Sequence, residues 1–140
     1  MRRDRDCVFC KIVAGEVPST KLFEDETILA FMDIMPLNRG HLLVIPKEHV
    51  ETVFDIEPEL YGRLYSVVCR LAKAVKASIA PHGANVMQLN GKAGNQVVKH
   101  LHIHLVPRWE ADGLTICSWE PIPGDMSDIT RAAENIKANL

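Results

Sequence analysis

The spacing of apolar residues changes period along the chain, and each change marks an element. Cys7–Ala14 has the pattern of a short helix, stopped by Gly15 and Pro18. Lys21–Glu24 and Ile28–Met32 read as two short strands, with Asp25-Glu26 turning between them. After the loop Pro36–Arg39, Gly40 leads into His41-Leu42-Leu43-Val44-Ile45, a strand that Pro46 ends. The longest regular stretch starts at Pro58, which suits a first helical turn. It carries Leu60, Leu64, Val67, Val68, Leu71, Val75 and Ile79 three or four residues apart, one continuous apolar face, with Cys69 among them as a buried small hydrophobe. Pro81 and Gly83 end it. Asn85–Leu89 reads as a strand, Asn90–Asn95 as a glycine-containing loop, Val97–Pro107 as a long strand, and Ile129–Ala138 as a short helix. The very short links between strands favour an antiparallel sheet of about five strands, with one long and one or two short helices packed to one side. That is an α+β domain. No repeat or Gly/Ser linker divides the chain, so residues 1–140 read as one domain with 109–140 as a C-terminal extension.

Composition narrows the class. A hydrophobic share of 47% supports a real core, and a net charge of −2 offers no bulk basic surface for a nucleic-acid backbone. The charged start, Met1-Arg2-Arg3-Asp4-Arg5-Asp6, is not followed by the apolar stretch that secretion needs, and no run is long enough to span a membrane. These features predict a soluble, cytoplasmic protein. In such a setting Cys7-x-x-Cys10 points to metal or redox chemistry before a disulfide.

His100-Leu101-His102-Ile103-His104-Leu105 carries the most chemistry. Strand alternation sends the three imidazoles to one face, roughly 6–7 Å apart, while Leu101, Ile103 and Leu105 enter the core. Two simpler readings compete: a His-rich solvated strand, and a His-x-His site for a catalytic metal.

The segment closely resembles the signature of the histidine triad family, three histidines alternating with apolar residues and followed by two more. Gly40-His41-Leu42-Leu43-Val44-Ile45-Pro46-Lys47-Glu48-His49 resembles a second segment of that family. Cys7–Ile12, Gly15–Pro18 and Phe31–Ile34 match in order and spacing, so the likeness runs from Cys7 to Arg108. It implies a nucleotide hydrolase in which His102 attacks the α-phosphorus and forms a transient nucleotidyl-imidazole that water then cleaves. It also implies that a main-chain carbonyl orients His102, that His104 bonds phosphoryl oxygens or supplies a proton, and that His41 helps orient the triad. Asp33 would bond the ribose, while Phe9, Ile12, Phe31 and Ile34 would form the slot for a purine base. Asn90 and Gln96, in the loop Asn90–Gln96, would lie by the phosphate, where glycines let main-chain N–H groups approach an anion.

The chain departs from the family pattern at Leu89, where a polar residue is common, at Asn95 for glycine, and at Val97 for a hydroxyl residue. Cys7-x-x-Cys10 keeps three readings: a redox pair, which lacks the βαβ pattern of thioredoxins; two structural thiols; or a structural zinc. The resemblance completes the zinc with His49 and His100. It further implies a homodimer paired through the long helix and a sheet edge. A metal-dependent hydrolase and a nucleotide-binding protein with vestigial catalysis are the alternative functions.

Overall fold

The computed structural model describes residues 1–140. In chain order the elements are α1 (Val8–Val13), β1 (Lys21–Glu24), β2 (Ile28–Met32), β3 (Leu42–Pro46), α2 (Pro58–Ile79), β4 (Gly83–Gln88), β5 (Ile103–Arg108) and α3 (Met126–Lys137), with one 3-10 turn at Lys92–Gly94. The five strands form one sheet in the order β1-β2-β3-β5-β4, and every neighbouring pair is antiparallel.

Side-chain alternation splits this sheet into two chemically different faces. Ile28 and Ala30 of β2, Leu42 and Val44 of β3, and Ile103 and Leu105 of β5 pack with Leu64, Val67 and Val68 of α2 in the main core. Leu29, Phe31, Leu43 and Ile45 point the other way, against Phe9 and Ile12 of α1. The expectation that helices pack to one side therefore holds for α2 only, because α1 covers the opposite face.

Registry carries the polar groups of that second face into one neighbourhood. Leu29 pairs with Ile45, Phe31 with Leu43, and Leu43 in turn with His104. Gly40 sets the entry to β3 at φ +81°, and a Cβ there would meet Ile79 Cδ1 at 2.7 Å, so the turn before His41 requires glycine.

Two expectations need correction. The long strand predicted over Val97–Pro107 is formed only from Ile103, because residues 97–102 satisfy their main chain elsewhere: His100 N–H donates to Val98 O and Leu101 N–H to Val50 O. The alternation survives this, with Leu101 in the main core and His100 and His102 in the second face's neighbourhood. Cys69 is exposed, since it falls on the flank of the α2 stripe that Val68 and Leu71 define. The tail is irregular until α3, which Asp125 caps by accepting from Ser127 N–H and Asp128 N–H, and none of the α3 residues is buried.

Candidate active site and metal centre

A cavity of about 380 Å³ opens on the second face of the sheet. Phe9 and Ile12 of α1, Phe31 of β2 and Leu43 of β3 form its apolar wall, and Asp33, His102 and His104 line its polar end. A flat apolar slot ending in imidazoles and one carboxylate suits a base, a ribose and a phosphate in sequence.

Hydrogen bonds fix the proton on each imidazole. His102 is buried, and its Nδ1 lies 2.6 Å from His100 O. A carbonyl only accepts, so Nδ1 carries the proton and Nε2 keeps its lone pair. Burial lowers the pKa of His102 despite that bond and the Asp33 charge, so the ring is neutral near pH 7. That is the state of a nucleophile.

His41 differs. Its Nδ1 accepts from Leu37 N–H at 2.9 Å, which leaves the proton on Nε2. That Nε2–H donates to His104 Nδ1, also at 2.9 Å, with Asp33 Oδ2 3.5 Å away. With Nδ1 so occupied, neutral His104 must carry its proton on Nε2. Burial, followed by the neighbouring His102 and His41, pushes His104 down to about 4. Burial likewise lowers His41 against the pull of Asp33. The relay therefore presents a neutral hydrogen-bond donor.

The second group lies beside the first. Cys7 Sγ and Cys10 Sγ stand 3.4 and 3.6 Å from His100 Nδ1, and His49 Nδ1 stands 3.4 Å from Cys10 Sγ. His100 donates from Nε2 to Pro46 O at 2.8 Å, so its Nδ1 lone pair faces the thiols. The four donor atoms lie within 4.8 Å of one another. A tetrahedral zinc with two sulfur and two nitrogen ligands holds its donors roughly 3.3–3.8 Å apart, so this donor set fits it. Cys10, His49 and His100 are buried and Cys7 partly so, which suits a closed site.

Other sequence-predicted residues fall differently. Ile34 borders the cavity but is 88% exposed, at the mouth and not within the slot. Asn90 is engaged with Gln88 and Val53 N–H, and Gln96 bridges Gly91 N–H to the carbonyls of Glu51 and Val98. Neither lines the cavity; their polar groups brace the surrounding loops. Val97 does line it, 90% exposed. Sequence reasoning missed Leu37 N–H and Pro46 O, since a main-chain group leaves no residue signature. It also missed Ser19, on the cavity wall, whose buried Oγ has no partner.

The HIT domain model matches residues 14–111. The chain belongs to the HIT family. The adenosine 5'-monophosphoramidase hnt1 of Schizosaccharomyces pombe is 37% identical over 96% of this chain and 98% of its own. A HIT family protein of Bacillus anthracis superposes with a TM-score of 0.90 at 38% identity, covering 99% of both chains. A zinc-bound histidine triad family protein of Mycobacterium smegmatis superposes at 0.76 with 36% identity, over 96% of this chain and 98% of that one. The five-stranded antiparallel sheet with its helices is thus the fold of this family's solved members.

Proposed function

We propose that this protein hydrolyses nucleotides at the α-phosphorus, with His102 as nucleophile. The substrate is an adenosine phosphoramidate, a mixed anhydride or a dinucleoside polyphosphate. The observation that carries the reading is the bond from His102 Nδ1 to His100 O, which aims an unprotonated Nε2 from a buried ring at the cavity's polar end. The Nε2 lone pair forms an N–P bond as the P–leaving-group bond breaks, and the bond's electrons depart with the leaving group. Good leaving groups go as anions, whereas an amine takes a proton from solvent before it leaves. Water then adds to phosphorus, its proton passes to solvent, and the N–P electrons return to Nε2 with release of nucleoside monophosphate. His104 Nε2–H stabilises charge on a phosphoryl oxygen throughout, a hydrogen-bonding role that its fixed tautomer supports. Asp33 binds the ribose, and Phe9, Ile12 and Phe31 hold a purine.

Cys7, Cys10, His49 and His100 are the residues that would hold a zinc, which would supply structural cross-linking. His100 shares this cluster, His104 pairs with His41, and His102 belongs to neither, so the three imidazoles serve different tasks. That division favours nucleophilic over metal-dependent hydrolysis. Reduced thiols at such a site suit the cytoplasm, and no helix is long and apolar enough to cross a membrane. The partner proposed is a second copy of the chain, supported by the exposed apolar side chains Val86 on strand β4 and Tyr65 on α2. No nucleic-acid partner is proposed.

Rapid acid-free quenching followed by mass spectrometry tests the mechanism. With an adenosine phosphoramidate, the wild-type chain should gain one nucleoside monophosphoryl group, and His102→Ala should gain none. Substantial turnover by His102→Ala would remove His102 from the mechanism.

A further inference from the structure

Asn38 lies in the turn before His41 and does not line the cavity. Its side-chain amide donates to Pro107 O and to Asp112 Oδ2, each at 3.0 Å, while its main-chain carbonyl accepts from His41 N–H at 3.2 Å. Asp112 is itself held fast. Arg108 grips both of its oxygens, at 2.7 and 2.9 Å, and the N–H groups of Trp109 and Leu114 add two more bonds. A residue fastened at both ends this way makes the turn a fixed extension of the β5 terminus. The group that the turn presents inward is Leu37 N–H, 2.9 Å from His41 Nδ1.

That single main-chain donor decides two tautomers. If it moves away, His41 can carry its proton on Nδ1 and accept at Nε2. His104 would then donate from Nδ1 and show a lone pair at Nε2 where the relay otherwise holds a proton.

We propose that Asn38, anchored by Asp112, is a positioning residue that keeps Leu37 N–H on His41 Nδ1 and thereby keeps His104 an Nε2–H donor. The consequence for phosphate rests on the hydrolase reading; the tautomers themselves do not. Side-chain 15N shifts and two-bond 1H–15N correlations of the full-length, histidine-labelled protein near neutral pH read each ring directly. The wild type should show the Nε2–H pattern at both His41 and His104. Asn38→Ala should shift both rings toward mixed tautomers and lower kcat by roughly 10- to 100-fold, with KM little changed. Asp112→Ala, which removes the anchor from outside the turn, should move the same two rings in the same direction. Unchanged ring patterns in either folded variant, or an Nδ1–H pattern at His41 in the wild type, would overturn the assignment. Moved rings in a protein whose wild type turns over no nucleotide would sustain the positioning role and sink the hydrolase reading.

Discussion

Two clusters of ligand-type side chains stand close together and are wired in opposite ways. Around Cys7, Cys10, His49 and His100, the outward nitrogen of His100 is engaged by Pro46 O, so its Nδ1 lone pair faces inward onto the two sulfurs. Around Asp33, His41 and His104, the inward atoms already satisfy each other, Nε2–H to Nδ1 at 2.9 Å, and Leu37 N–H occupies the outward nitrogen of His41. Converging lone pairs call for a cation; a donor facing an acceptor does not. Similar residues at similar spacing therefore suit a metal centre in one place and an ordered proton relay in the other. The difference lies in the main chain behind each ring, an acceptor in one case and a donor in the other.

The largest effect should come from the ring outside both clusters. His102→Ala should lose roughly 10³–10⁶-fold in turnover while still binding adenosine monophosphate, as rapid kinetics and calorimetry would show. Cys7→Ser with Cys10→Ser should reduce zinc, measured by elemental analysis, from one per chain to none and lower Tm by more than about 10 °C. Below that Tm its kcat should stay within about tenfold of wild type; a collapse of kcat in folded protein would break the division of labour between the clusters. His41→Ala should do the reverse, keeping the metal and lowering kcat about 10- to 100-fold.

Acid should weaken the relay. Burial holds the folded His104 pKa down to about 4 against an ordinary 6.5, and lowers His41 in the same direction. The unfolded chain thus binds protons first as pH falls. The His104 contribution is complete above about pH 6.5 and is lost toward pH 4, a decline on the order of 1–2 kcal/mol for a partly exposed ring. Denaturant titration of wild type against His104→Gln should show the gap between the two changing across that window and holding constant above about pH 6.5. The smallest effect belongs to Val97→Ser. It should raise kcat/KM for a phosphoramidate over that for a mixed anhydride by no more than about tenfold, and an unchanged ratio would show that the added hydroxyl gives no leaving-group help.

Much of this was legible in the sequence because periodicity reports which side of an element is buried. β1, β2 and α2 have the bounds their patterns predict, and the alternation of His100, His102 and His104 with Leu101, Ile103 and Leu105 holds even where the ladder does not form. Strand length was less legible, since His100 N–H turns back to Val98 O and Leu101 N–H goes to Val50 O in a distant loop that no local pattern announces. Polar residues were read best where their internal partners still leave part of the side chain facing the cavity. Asp33, His102 and His104 reach the cavity, whereas Asn90 and Gln96 find carbonyls and amides of their own chain first. The tautomer of His41 was the least legible, because it depends on Leu37 N–H, a main-chain donor with no residue signature.

His100 serves the two regions through different parts of itself: its imidazole faces the thiols, and its carbonyl holds His102. For descent with modification the two are unequal, because substitution can replace an imidazole but leaves the backbone carbonyl in place. A lineage could trade away His100, Cys7, Cys10 and His49 in any order and still inherit the acceptor that orients His102, provided another contact kept the segment folded. The Cys/His cluster is therefore the evolvable module, and the orientation of His102 is carried by the one part of His100 that no point mutation removes.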